Sequence, residues 1–221
     1  MLQTSTFSFL TDLKANNNRE WFAEHKADYE QAKTNFEGFI DSLLPQLIVL
    51  EEKFVHLKAK ETTFRIYRDV RFSKEKTPFK PHFSAYFNKG GKGSELAGYY
   101  FHFEPAIDSF FVAGGSYMPP SDLLKKIRQE IDYNANRFLQ IIENKEFKSK
   151  FGELGGERLK TVPKGYSADN PAIEMLKMKG FVATHHFSKE EVSAPNFDKE
   201  IVSTFTGMRP LVDFLNEAME G

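Results

Sequence analysis

The chain contains no cysteine. Disulfide staples, zinc–thiolate sites and thiol nucleophiles are therefore excluded. No apolar run approaches the ~20 residues that cross a bilayer. The first thirty residues lack the apolar core of a secretory signal, and Asp12, Glu20 and Glu24 interrupt them. No internal repeat, low-complexity tract or long Pro/Gly/Ser linker separates one part from another. No Walker-type phosphate loop is present, because "GGKG" and "GGSY" both lack its spacing. No Ser–His–Asp signature stands out, and nothing indicates a cofactor or an oligomeric state. These absences predict a single cytoplasmic domain over residues 1–221 with no membrane association.

Phenylalanine is abundant instead, with 23 copies against one Trp in 221 residues. Apolar residues make up 40% and charged residues 28%, a globular balance in which large rings dominate the core. The N-terminal third predicts helix. "TSTFSFLTDLKA" spaces Phe7, Leu10 and Leu13 for one face, and Asn17 with Glu20 predicts a capping box before "WFAEHK". Tyr29, Ala32, Phe36, Phe39, Ile40, Leu43 and Leu44 then keep a helical period, which Pro45 should kink or end. The middle predicts four short aromatic strands: "TTFRIY", "HFSAYF", "YYFHFE" and "SFFVAG". "GGKG" is the tip of a hairpin. Helix resumes after Pro119-Pro120, "FVATHHF" is a late strand, and a final helix from Ile201 to Leu215 is disturbed near Gly207 and Pro210. In "PKGYSADNP", Asp169 or Asn170 caps a following helix, and Lys164 and Tyr166 hold the loop. The expected class is α+β, an antiparallel aromatic-rich sheet in mid-chain packed on one face by N- and C-terminal helices.

The net charge is −1, yet from Lys58 to Lys92 ten Lys/Arg face three Asp/Glu. That local excess can steer an anion without making the protein a general polyanion binder. Its centre is "FRIYRDVRFSKEKTPFK", Phe64 to Lys80, with Arg65, Arg68, Arg71, Lys74, Lys76 and Lys80 opposed only by Asp69 and Glu75.

Strand alternation places His82, Ser84 and Tyr86 on one face, and Tyr100, His102 and Glu104 on another. A pairing of Tyr86 with Tyr100 would bring Ser84 opposite His102 and His82 opposite Glu104, whereas a slip of one residue changes every neighbour. Arg65 is expected to reach the same face from the first strand, with Phe64 and Ile66 turned to the core. The face thus offers donors and rings rather than the Thr, Lys and Glu of a solvated sheet.

The expected function is binding, with or without turnover, of a small phosphate- or carboxylate-bearing ligand. Its residues are Arg65, Arg68, Arg71, Lys76, Lys80, His82, Tyr86, Tyr100, His102 and Glu104. His102 is the candidate proton-transfer group. Two other readings stay open: a module that docks an acidic protein segment, and arginines that merely pair with surface acids. Single-stranded nucleic acid is disfavoured by the eight net negative charges left to the rest of the chain. His82, His102 and Glu104 are metal-ligand types, but only an unproven register joins them, so no metal is assigned. His185 and His186 alternate along a strand and do not share an ion.

"NNREWF", "FRIYRDVRFSKEKTPFK", "YYFHFEP", "GGSYMPP" and "VPKGYSADNP" resemble, in this order, a family of conserved hypothetical proteins from bacteria and fungi, domain of unknown function 2461. The Arg-Asp-x-Arg-Phe segment carries most of the resemblance. It implies one full-length cytoplasmic domain, and it implies no reaction, cofactor or catalytic residue. The family more usually shows Asp and Tyr where this chain has Glu75 and Phe79.

Overall fold

Helical spacing and strand alternation yield ten helices and four strands in the computed structural model, which describes residues 1–71 and 74–221. Phe72, the last residue of the Arg-Asp-x-Arg-Phe segment, lies outside the described residues. In chain order the helices before the sheet are α1 (Thr4–Ala15), α2 (Arg19–Glu24), α3 (Lys26–Leu50) and α4 (Ala59–Thr62). The strands β1 (Phe83–Phe87), β2 (Gly98–Glu104) and β3 (Ser109–Ser116) follow. Then come α5 (Ser121–Tyr133), α6 (Ala135–Ile142), α7 (Lys145–Phe151), α8 (Ile173–Leu176), β4 (Phe181–Phe187), α9 (Lys189–Ser193) and α10 (Phe197–Glu220). The strands pair in the order β1-β2-β3-β4 as an antiparallel sheet, and the class is α+β. Among the described residues, no helix is long and apolar enough to cross a membrane.

The chain divides into two compact units. The first comprises Met1–Phe87, Tyr100–Val112 and His186–Ser203. Its core is a ring cluster. Phe36 of α3 lies 5.1 Å from Phe83 and 5.9 Å from Phe101, centroid to centroid, and Phe7 of α1 meets Phe103 edge-on at 4.8 Å. The second comprises Asn88–Tyr99, Ala113–His185 and Thr204–Gly221. There Phe138 of α6 packs 5.0 Å from Phe214 and 6.2 Å from Phe181. Arg128 of α5 donates to the carbonyls of Leu176 (2.7 Å) and Met178 (3.0 Å).

Two glycine motifs have structural causes in this second unit. "GGKG" lies in the β1–β2 turn, where the Asn88 side chain accepts from Gly90 N–H at 3.0 Å. Gly115 of "GGSY" has φ 135°, and a Cβ there would lie 2.0 Å from the carbonyl oxygen of Phe181, so only glycine lets β3 and β4 approach. Neither Asp169 nor Asn170 caps α8: its N-cap is Ala172 with no side-chain cap bond, and Asn170 instead accepts from Ala172 N–H at 2.8 Å in the turn ahead of it.

Four other expectations are corrected. The cap of α2 is Asn18, which accepts from Trp21 N–H at 2.8 Å. Asn17 instead clamps the backbone of Phe79, donating to its carbonyl at 3.0 Å and accepting from its N–H at 3.1 Å. Pro45 does not end its helix: α3 continues to Leu50. Pro45 is exposed while Leu43, Leu44, Leu47 and Leu50 are buried, so core burial on both sides outweighs one missing hydrogen bond. Pro210 is tolerated in α10 for the same reason, exposed beside the buried Met208, Leu211 and Val212.

The segment "TTFRIY" is not a strand. Thr62 ends α4, and the chain beyond it makes isolated bridges, Thr63 with Ala85 and Tyr67 with Phe79. The facing "TPFKPH" carries Pro78 and Pro81, which have no N–H to donate, so the ladder stays broken.

Candidate functional site

The candidate groups of the first unit stand on β2 because its residues alternate. Tyr99, Phe101 and Phe103 are buried among other rings, which turns Tyr100, His102 and Glu104 to the opposite face. His102 Nε2 lies 3.3 Å from Glu104 Oε2. Tyr100 Oη lies 3.1 Å from His102 Nδ1, and Ser84 of β1 hydrogen-bonds to Tyr100. His82, just before β1, places Nδ1 3.7 Å from the same Glu104 Oε2, and the two imidazole centroids are 4.4 Å apart. Lys14 of α1 reaches the other carboxylate oxygen at 3.4 Å. Phe111 of β3 stacks on His102 at 4.7 Å and 17°.

The carboxylate can only accept, so His102 Nε2–H donates to Glu104 and Nδ1 accepts from the Tyr100 hydroxyl. The Ser84 hydroxyl then donates to Tyr100, and one directed chain links Ser84, Tyr100, His102 and Glu104. Burial pushes His82 down to about 3, helped by His102, Lys80, Arg68 and Lys14. Burial also lowers His102, against the opposing pull of Glu104. Burial raises Tyr100, opposed by its bond to Ser84. At neutral pH the cluster therefore holds two uncharged imidazoles and a protonated phenol. The raised phenol and the lowered imidazole both oppose transfer of the Tyr100 proton to His102, so the chain is a set of fixed hydrogen bonds in this state.

The arginines do not join this cluster. Arg65 is exposed and, among the described residues, makes no ion pair. Phe64 is turned to the site face instead, 6.3 Å from the Tyr100 ring, with Lys80 Nζ 5.5 Å from its centroid. The broken ladder removes the strict alternation that would have turned Arg65 inward. Arg71 pairs with Asp69 through two bonds of 2.7 and 3.0 Å, and Lys76 donates to the carbonyl of Val70 at 2.9 Å. Tyr86 is half-buried on β1.

Of the expected arginines Arg65, Arg68 and Arg71, it is Arg68 that lines a hollow among the described residues. Its backbone N–H donates to Pro78 at 2.9 Å, one amino group pairs with Glu75 at 2.9 Å, and the other reaches the Phe79 carbonyl at 3.5 Å. Its Nε is buried and has no hydrogen-bond partner among the described residues. The groove has a volume of about 400 Å³, and Arg19, Lys26, Phe22, Tyr67 and Phe79 line it beside Arg68. Phe22 and Phe79 stack at 3.9 Å and 14°, and Tyr67 lies 5.4 Å from Phe79. No carboxylate is among the described residues that line it. A second hollow of about 210 Å³, between Leu2, Phe39, Val192 and Phe197, holds none of these arginines or imidazoles.

Sequence reasoning missed Lys14, Arg19, Lys26 and Phe111. The three cations sit on helix surfaces where Lys and Arg are ordinary, and no local pattern distinguishes them. Phe111 was legible only as the outward residue of β3.

The profile of a conserved hypothetical protein family, DUF2461, matches residues 5–214, and the chain belongs to that family. No curated protein and no solved structure matches the chain.

Proposed function

From that membership, whose description names no activity, we propose that the protein binds a small molecule bearing a phosphate or carboxylate together with a flat apolar part, in the groove at Arg68. The observation that carries the reading is the buried Arg68 Nε without an acceptor among the described residues. A buried, unsatisfied donor costs roughly 1–3 kcal/mol, and an anion oxygen would relieve it. Arg19 and Lys26 add positive charge, while Phe22, Tyr67 and Phe79 supply ring surface for the uncharged part. Glu75 holds only one amino group of Arg68 and is 56% exposed. Such a pair is weak in water, so an incoming phosphate can replace it. The absence of cysteine accords with a reducing compartment, and we place the protein in the cytoplasm.

Phenyl phosphate, benzoate and inorganic phosphate are suitable probes in thermal unfolding. A ligand at one hundred times its Kd stabilises by about 2.7 kcal/mol, which is on the order of 5–10 °C for a chain of this size. Phenyl phosphate should give the largest shift, and Arg68→Ala should abolish it. A wild-type chain that responds to none of the three, or an Arg68→Ala chain that responds as wild type does, overturns the proposal.

A further inference from the structure

We propose that His82, His102 and Glu104 form a binding site for a divalent transition-metal ion of the zinc class, with one coordination position open to an exogenous oxygen ligand. The inference is independent of the Arg68 groove. Two imidazoles and one carboxylate are the donor set that such ions take, and three protein ligands leave room for a fourth.

The spacing fits. One donor atom from each residue lies within 4.8 Å of the other two. Glu104 Oε2 is 3.3 Å from His102 Nε2 and 3.7 Å from His82 Nδ1. Bonds of ~2.0–2.1 Å in a tetrahedron put donor atoms about 3.3–3.5 Å apart. The ion therefore needs side-chain adjustments well within rotamer freedom, and no movement of the strand.

A self-satisfied hydrogen-bond network is the competing account, and His82 does not fit it. Its Nδ1 stands too far from Oε2 for a hydrogen bond, and among the described residues its side chain makes none. The imidazole is nonetheless directed at the carboxylate oxygen that His102 also faces. The three ligand atoms thus converge within 4.8 Å of one another, with His82 left unsatisfied among the described residues.

The surroundings orient each ligand. Tyr100 Oη holds His102 Nδ1 at 3.1 Å, which fixes the ring with Nε2 toward Glu104. With metal bound, His102 takes its other tautomer: Nδ1–H donates to Tyr100, which donates in turn to Ser84. Lys14 occupies Glu104 Oε1 at 3.4 Å and leaves Oε2 for the ion. Phe111 stacks on His102 and blocks ring rotation. His102 and Glu104 come from one strand at i and i+2, and His82 follows Pro81, whose ring restrains the backbone.

Lys14, Lys80 and Arg68 all act on His82 as positive charges. They oppose a bare dication and favour an anion upon it, so the open position takes hydroxide or a phosphate or carboxylate oxygen rather than a neutral donor. The half-open side of His82, 21% exposed, is the route in.

The test uses the full chain stripped with a chelator and titrated with Zn²⁺ against a chromophoric competitor, and with Co²⁺ by visible absorption. One equivalent should bind, and Co²⁺ should develop the d–d bands of a low-coordinate site. His82→Gln and Glu104→Gln should each lose saturable binding. Tyr100→Phe should weaken it about tenfold, and the exposed His56→Gln should leave it unchanged. Where a variant fails to fold by near-UV circular dichroism, acylation of the wild-type imidazoles, mapped by mass spectrometry, replaces it. Zn²⁺ should then protect His82 and leave His56 reactive. A wild-type chain that takes up neither ion overturns the proposal. So does a folded His82→Gln or Glu104→Gln chain that binds as wild type does, or a His82 that Zn²⁺ fails to protect.

Discussion

The cluster on β2 and the basic segment from Phe64 to Lys80 contain similar proportions of polar and aromatic side chains, yet they handle charge in opposite ways. In the cluster, burial keeps both imidazoles neutral, and the β2 groups face partners from other elements: Lys14 from α1, Ser84 from β1, Phe111 from β3. In the basic segment, two arginines pair with acids of the same segment, Arg71 with Asp69 two residues away and Arg68 with Glu75 seven residues away. A paired strand fixes where a side chain starts, so distant residues can be placed to within a hydrogen bond. A segment without a ladder leaves long cations to settle on whatever acid is close. Arg68 is held from several sides, because its backbone pairs with Pro78 and Asn17 clamps the chain at Phe79.

The largest way to break the contrast is to loosen the strand. Phe103 lies between His102 and Glu104 in sequence, is fully buried, and meets Phe7, Phe36 and Phe110. Phe103→Ala should cost about 3–5 kcal/mol in urea unfolding. A cost below about 1 kcal/mol would show that the ring cluster does not hold β2 in place.

Acid should separate the two regions next. The folded chain keeps His82 neutral down to about pH 3, whereas the unfolded chain protonates it near its ordinary value of 6.5. Stability from this group is therefore complete above pH 6.5 and declines as the pH falls toward 3. His102 acts in the same direction. The groups facing His82 are His102, Glu104, Lys80, Arg68 and Lys14. Between pH 6.5 and 4.5 the metal-free chain should lose on the order of 2 kcal/mol through His82. His82→Gln should flatten that part of the profile, measured by urea unfolding in chelator. An unchanged profile would mean that the imidazole is not buried neutral.

Tyr100→Phe comes next. It leaves the buried Nδ1 of His102 without its donor and should cost about 1–2 kcal/mol at pH 7. Ser84→Ala should cost less, because it removes a donor to Tyr100 but not the Tyr100–His102 bond.

The same contrast explains what was legible in the sequence. Strand alternation needs only local sequence, so β1, β2 and β3 and the shared face of Tyr100, His102 and Glu104 could be read directly. The helices were legible where an apolar stripe continued, as along α3. Pro45 misled because a local rule does not know that the residues around it are buried. "TTFRIY" misled because its strand-like composition says nothing about its partner, and the partner holds Pro78 and Pro81. That one error displaced Arg65 and put Phe64 beside Tyr100. Arg19 and Lys26 carry no local signal at all. They matter only because the stacked pair Phe22 and Phe79 brings α2 against the segment that bears Arg68.

The finest division lies within the basic segment, where two exposed acids hold two arginines and only one of those arginines lines the groove. The Thr77 hydroxyl and Arg68 hold the Glu75 carboxyl below its usual range, and Arg71 does the same for Asp69. Both acids are exposed, so neither Glu75→Gln nor Asp69→Asn should shift the melting temperature measurably. Their effects on phenyl phosphate should differ. Glu75→Gln removes a competitor for the Arg68 guanidinium and should tighten binding a few-fold. Asp69→Asn releases Arg71, which does not line the groove, and should leave the affinity where it was. Titration calorimetry of the two variants side by side distinguishes a site built on Arg68 from a general basic surface. A general surface would gain equally from the loss of either acid, because each removes one negative charge from the same segment. Equal gains would place the anion on the net charge of the segment rather than on the one arginine that the backbone positions.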